Sequence, residues 1–355
     1  MTQSVAITKS ALKSQASILR NYERLLALEL GDRTPEEFYE LVFSRMVKPD
    51  PFRLFEMGLG QEETFMLGTD QRDQIVPRLA ERLMPLRPGA LVLDVGAGDG
   101  QTTAYALEGR LQPLSFLPFD TADGALERYR DLFASRFPNV SVPRSIAAGI
   151  DQVVTAAPGS AAAVDERLDM VMVIHALYYT ADIGRFLSYA HERLLPGGKM
   201  LLAFGQKSGR YIGRLVEEYW AENQRPAEAQ DYYLLGPVIE QFFGIETAGK
   251  DAEADRRACD ETLQQRLGSG RFHVAEVIRQ PTRLFANDFG DLLASAFVTG
   301  LMPRDKEELK RQIAFVSARL QDEPQAYDLR LSLSGPRARM LSVAQPQILI
   351  GLEKL

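Results

Sequence analysis

From Leu91 onward, short apolar runs alternate with amphipathic stretches, the rhythm of strands alternating with helices. Leu91–Val95 reads as the first strand, and residues 101–109 as the helix after it. Leu114–Asp120 is the second strand, 122–136 a helix, and the residues near 140–147 a short third strand. Leu168–Ile174 is almost uninterruptedly apolar, as expected of a parallel strand buried on both faces. A helix at 181–194 breaks at Pro196-Gly197-Gly198, read as a turn, and Lys199–Phe204 is the fifth strand. Phe272–Ile278 and Gln347–Leu352 complete a set of seven. The pattern implies an α/β protein with a doubly wound, mostly parallel seven-stranded sheet.

The flanks read differently. Residues 6–30 carry apolar positions at helical spacing up to Gly31-Asp32, and Thr34-Pro35-Glu36-Glu37 opens a second helix with a cap, an N1 proline and first-turn acids. A third amphipathic segment, 72–86, ends at Arg87-Pro88-Gly89. Residues 207–268 are polar and helical, and helices are expected at 288–299 and 305–321. The chain therefore divides into an N-terminal helical extension or lid at 1–75 and a core at 76–205. A helical insertion at 206–270 precedes a C-terminal part of the core, 271–355, with substrate-side helices.

The run Leu91-Val92-Leu93-Asp94-Val95-Gly96-Ala97-Gly98-Asp99-Gly100 changes the picture from fold to chemistry. A strand ending in an acid turns through three glycines at alternate positions, so the backbone can pass close under a ligand. This is the strand-to-helix turn where α/β folds bind cofactors. A dinucleotide fingerprint needs glycine at the sixth loop position, which here is Gln101. A carboxylate at Asp94 repels a pyrophosphate and attracts an ammonium or a sulfonium. An ordinary glycine-rich turn is the plain alternative.

Composition narrows the partners. The net charge of −7 over 355 residues, with no long Lys/Arg run, argues against nucleic acid as the main partner. The single cysteine, Cys259, excludes an intramolecular disulfide, and no Cys/His cluster suggests a metal. No apolar run is long enough to suggest a membrane span. A small-molecule substrate, a cytoplasmic location and a monomer or homodimer are the resulting expectations.

Two further blocks carry candidate chemistry. Asp120 ends the second strand, where a carboxylate can accept ribose hydroxyls; the alternative is a cap for the following helix. Asp169 and Ile174-His175-Ala176-Leu177-Tyr178-Tyr179 belong to the fourth strand and its exit, the edge where open sheets bind ligands. His175 is expected to point over the cofactor and the two tyrosines to wall the cavity, against the alternatives of a satisfied rim histidine and tyrosines packed on helix 181–194.

Taken together, residues 91–205 resemble a class I S-adenosylmethionine (SAM)-dependent methyltransferase core of the Rossmann-like type. The stretch Ile174–Phe204 is similar to that of the histamine N-methyltransferase-like small-molecule enzymes, with paired tyrosines after Ile174. The later order of elements, including a helix at Gly290–Leu293, fits the same group. The resemblance implies SAM as cofactor, with S-adenosylhomocysteine as product. It implies a cofactor set of Asp94, Gly96, Ala97, Gly98, Gly100, Asp120, Ala148, Gly149, Ile174 and His175. It implies His175 and Tyr178 as catalytic residues, and Tyr22, Tyr178 and Tyr179 at the substrate. The expected reaction is methyl transfer to a nitrogen of a small amine or amino-acid-like metabolite. An O-methyltransferase and a non-catalytic SAM-binding protein are the alternatives. The N-terminal region and 207–268 depart from that group, so histamine itself does not carry over.

Overall fold

In the computed structural model, residues 4–6, 70–109, 112–206, 211–223, 235–245, 251–286, 306–332 and 341–355 are described. Their strands are β1 (Ser4–Ala6), β2 (Ala90–Val95), β3 (Leu114–Asp120), β4 (Val140–Ser141), β5 (Ile146–Ala147) and β6 (Leu168–Ile174). They continue as β7 (Leu194–Gly205), β8 (Phe272–Gln280), β9 (Arg283–Ala286), β10 (Arg330–Ser332), β11 (Leu341–Ala344) and β12 (Gln347–Lys354). The α-helices are α1 (Gln71–Leu83), α2 (Gln101–Leu107), α3 (Asp123–Arg136), α4 (Ile150–Thr155) and α5 (Ile183–Arg193). After them come α6 (Tyr211–Asn223), α7 (Leu235–Phe242), α8 (Ala252–Leu267) and α9 (Lys306–Asp322).

The main sheet runs β4-β3-β2-β6-β7-β12-β8, with β5 also beside β3. It is parallel except for β12, which is antiparallel to both β7 and β8. The expected mostly parallel sheet is present with eight strands, because the third strand is split: β4 pairs the start of β3 and β5 its end. From β2 the chain first moves outward to β3 and then returns to the other side of β2 as β6. That reversal makes the carboxyl ends of β2 and β6 the switch point of the sheet.

Helices cover both faces. Leu79 and Leu83 of α1, Leu107 of α2, and Tyr129 and Phe133 of α3 lie over Val92, Phe116 and Met172. On the other face Phe186 of α5, Phe243, and Cys259 and Leu263 of α8 lie over Leu93, Val171, Leu202 and Ile350. The inner strands are apolar toward both layers, so they cannot turn a face to water without losing the burial that drives the fold.

Two features depart from the sequence expectations. Leu194–Gly205 is one long strand and Pro196-Gly197-Gly198 is not a separate turn. The register with β6 steps from Leu168↔Leu194 to Met170↔Lys199, so the extra residues form a bulge. A second, four-stranded antiparallel sheet, β1-β10-β11-β9, was not anticipated; its strands have only three or four residues, too short to show a period of two. Of the helix expected over 6–30 only Ala6 is described, as the end of β1, and the helices expected from Thr34 and at 288–299 lie outside the described residues. Among the described residues no helix is long and apolar enough to cross a membrane.

Candidate cofactor and acceptor site

The glycine loop sits at the switch point. Gly96, Gly98 and Gly100 have φ of +64°, +54° and +79°, the left-handed region that glycine enters without a Cβ penalty. The backbone N–H groups of Gly96 and Ala97 both donate to the Phe119 carbonyl (2.9 and 3.1 Å), tying the loop to the end of β3. A Cβ on Gly96 would overlap that of Ala176, in the loop after β6, and one on Gly100 would lie 2.6 Å from the Tyr129 ring. The glycines therefore permit positive φ and also let the loop close down on its neighbours.

Asp94 is almost fully buried beneath this loop. One of its oxygens accepts from Thr103 Oγ1 (2.7 Å, α2) and from the Tyr129 hydroxyl (3.1 Å, α3). Burial pushes its carboxyl up to about 6; the two hydrogen bonds oppose that rise and the nearby Asp120 adds to it. The phenol of Tyr129 is itself held well above its usual range by burial and by the facing carboxylate. Near neutral pH Asp94 carries its negative charge, braced from two helices. Sequence reasoning missed Thr103 and Tyr129 as bracing residues. A hydroxyl early in α2 and an aromatic at Tyr129 were the only signals; in the structure the Tyr129 ring stacks on Phe133 at 4.4 Å.

Asp120, at the end of β3, joins the loop to the next turn. Its Oδ2 accepts from Gly98 N and its Oδ1 from Ala122 N, both at 3.0 Å. The helix cap weighed from the sequence is not observed: the residue capping α3 is Ala122, and Asp120 bonds to its N–H and to the glycine loop rather than to any N–H of the helix. Each carboxylate oxygen has a second lone pair, so the group keeps acceptor capacity toward a diol. The Asp120 carbonyl takes Ala148 N at 3.0 Å, and Gly149 N donates to Gln152 Oε1 at 2.8 Å at the start of α4. Ala148 and Gly149 therefore stand beside Asp120 at the same edge.

The exit of β6 brings His175 to the switch point with φ +55°, a strained conformation for a non-glycine residue. Its backbone N–H donates to the Ala203 carbonyl at 2.8 Å, and its ring lies 6.3 Å from that of Tyr178. Tyr178 is buried with Ile183, Phe186 and Leu187, and its hydroxyl accepts the Gly205 N–H at the end of β7. Tyr179 is 56% exposed. Ile174 packs against Ile75 of α1. Asp169 is placed at the opposite, amino edge, where it binds Arg87 (2.8 and 3.1 Å) and Leu91 N. Tyr22 and the Gly290–Leu293 segment lie outside the described residues.

A separate groove of about 410 Å³ lies between α6 and α9, lined by residues such as Tyr219, Glu222, Phe315 and Arg319 and by none of the loop residues. Among the described residues no group of three or more His, Cys, Asp or Glu side chains is placed to hold a metal ion.

No family model matches the chain. Two fungal proteins match about half of it. The highly reducing polyketide synthase ACRTS2 of Alternaria alternata is 24% identical over 174 residues, 47% of this chain and 7% of its own length. The lovastatin nonaketide synthase mokA of Monascus pilosus is 25% identical over 181 residues, 46% of this chain and 5% of its own. The match thus spans a small fraction of those synthases. Among solved structures, a SAM-dependent methyltransferase from Thiobacillus denitrificans in complex with S-adenosyl-L-homocysteine is 15% identical with a TM-score of 0.40, covering 87% of this chain and 100% of that one. The Bacillus halodurans protein BH2331 is 18% identical with a TM-score of 0.45, covering 79% and 98%. These structural likenesses are distant, and the fold rests on the strand order above.

Proposed function

We propose that the protein is a class I SAM-dependent methyltransferase acting on a small molecule. One observation carries the reading. Three positive-φ glycines in a single strand-to-helix turn are hydrogen-bonded, through Gly98 N, to an acid ending the neighbouring strand. That arrangement fits a nucleoside with a cationic tail: Asp120 retains lone pairs for two ribose hydroxyls, and buried Asp94 supplies negative potential for an ammonium or sulfonium.

SAM, when bound, supplies a methyl group on a sulfonium. The chain's own residues then align the acceptor, and alignment can lower a barrier by about 7–11 kcal/mol in ideal cases. His175 stands at the carboxyl end of β6 beside the loop, where its imidazole takes the acceptor's proton or orients its lone pair. Tyr178 fixes the end of β7 through Gly205, and so the wall of the acceptor site.

The acceptor in this reading is an amine nitrogen, supported by the likeness of Ile174–Phe204 to the histamine N-methyltransferase-like group. An oxygen acceptor, a small hydroxylated metabolite for which His175 is the base, is the second reading. Calorimetry with SAM and with S-adenosylhomocysteine tests the shared premise: both bind the wild type, and Asp120→Ala weakens both at least tenfold. Binding of neither removes the reading. Transfer of labelled methyl from SAM across a panel of amines and phenols separates nitrogen from oxygen.

A further inference from the structure

A second polar set lies along the carboxyl edge of β7 and β8. The last apolar row on the α1 side of the sheet runs through register partners Ile174, Ala203, Leu349 and Ile278, with Ile75 of α1 over it. Two residues further along each strand, the row continues as Gly205, Gln347 and Gln280. Alternation along a strand puts Gln347 on the face of Leu349 and Gln280 on the face of Ile278. Gln280 Nε2 donates to the Gln74 carbonyl of α1 at 3.1 Å, which places that side chain on the α1 side directly.

Gln347 is fully buried, yet neither its Oε1 nor its Nε2 has a hydrogen-bond partner. The Oε1 atoms of Gln280 and Gln345 are buried in the same condition. Gln345 is held at this edge by its N–H, which donates to the Thr282 carbonyl at 2.9 Å, and by its own carbonyl, which accepts from the Thr282 hydroxyl. Buried amides are nearly always bonded, so each unbonded one needs an explanation. Exchanging O and N in Gln347 changes nothing, because both atoms lack partners.

We propose that Gln347, Gln280 and Gln345 form the recognition end of the acceptor site and bind a carboxamide group of the substrate. The proposal rests on the methyl-transfer reading above. The three side chains offer three carbonyl acceptors and one NH2 donor. A carboxylate would face three acceptors and one donor, an ammonium would leave the donor of Gln347 unused, and a carboxamide complements both kinds. Two strand spacings of about 4.8 Å separate β6 from β12, so the recognised amide lies about 10 Å from the strand that presents His175. The substrate is therefore long enough to place an amide several bonds from the atom that receives the methyl.

The test is NMR of the full-length ¹⁵N-labelled protein, with side-chain amide signals identified by their loss in Gln347→Leu and Gln280→Leu. The probe is N-acetylglycinamide, with acetate and methylammonium as controls. A saturable shift of the Gln347 signal with the amide alone is expected, weakened at least tenfold in Gln347→Leu when read at Gln280. The thermal midpoint of Gln347→Leu is expected to stay level or rise, because an apolar side chain replaces an unbonded amide. No saturable shift, equal affinity in Gln347→Leu, or loss of folding or a fall of several degrees in that variant overturns the proposal, the last because it marks an internally bonded amide. Calorimetry with SAM on the same samples keeps the two readings apart. A wild type that binds the amide and not SAM removes the methyl-transfer reading alone.

Discussion

Tyr129 donates its hydroxyl hydrogen to the carboxylate of Asp94 at 3.1 Å across 35 positions of sequence, and its ring lies 2.6 Å from where a Cβ of Gly100 would stand. One side chain of α3 thus braces the charge beneath the loop and limits what residue can stand immediately before α2.

The charge at Asp94 has a measurable cost. Its folded-state pKa of about 6 stands above the ordinary 3.8, so between these values the folded protein holds more protons than the unfolded chain. Stability from this group is fully present below about 3.8 and is lost as pH rises through about 6. Two units correspond to about 3 kcal/mol at most. Asp94→Asn keeps an oxygen for Thr103 and Tyr129, so it is expected to be more stable than wild type at pH 7.5. The gain should shrink toward pH 4 in denaturant unfolding, while SAM affinity falls. Parallel stability curves for the two proteins across that range would contradict the assignment.

Gly100→Ala meets both obstacles at once, a φ of +79° and the Tyr129 ring. A loss of about 1–3 kcal/mol is expected. Tyr129→Leu should recover part of that loss by clearing the ring, and a double-mutant cycle measures the coupling.

His175 stores strain where chemistry is proposed. His175→Gly relieves its φ of +55° and should add about 1 kcal/mol of stability while lowering methyl transfer. Tyr178→Phe leaves the Gly205 N–H without its acceptor, costing about 1–3 kcal/mol and slowing turnover. Wild-type turnover of the identified acceptor by both His175→Ala and Tyr178→Phe would place the active site elsewhere.

Far from the loop, Arg279 of β8 grips buried Asp255 of α8 through two bonds of 2.6 and 3.1 Å and also donates to the Ile245 carbonyl. Arg279→Met leaves Asp255 buried without that cation and should cost about 3–5 kcal/mol. The pair Arg279→Met with Asp255→Leu should cost much less, since a matched apolar pair replaces a matched ionic one. Urea unfolding of the wild type and these two variants checks the order.

The alternation of strand and helix, and the loop with Asp94, Gly96, Gly98, Gly100 and Asp120, were legible because each is a local pattern. Periodicity is set by which face a residue must bury, and a turn through positive φ has few residues to choose from. The helix ends in the core were readable to within a few residues for the same reason: 122–136 is observed as Asp123–Arg136 and 305–321 as Lys306–Asp322.

What the local pattern leaves open is which distant groups meet. The brace of Thr103 and Tyr129 on Asp94, the bond from Gly98 to Asp120, and the placing of Asp169 at the amino edge depend on how helices cross the sheet. The row of Gln347 and Gln280 depends on the reversed insertion of β12 between β7 and β8, which pairs segments far apart in sequence. Alone, the chain determined a strand-to-helix cradle suited to a charged nucleoside. Only tertiary packing decided which side chains brace that cradle and which polar groups line the sheet edge beside it, because long-range register is set by the burial of whole faces together.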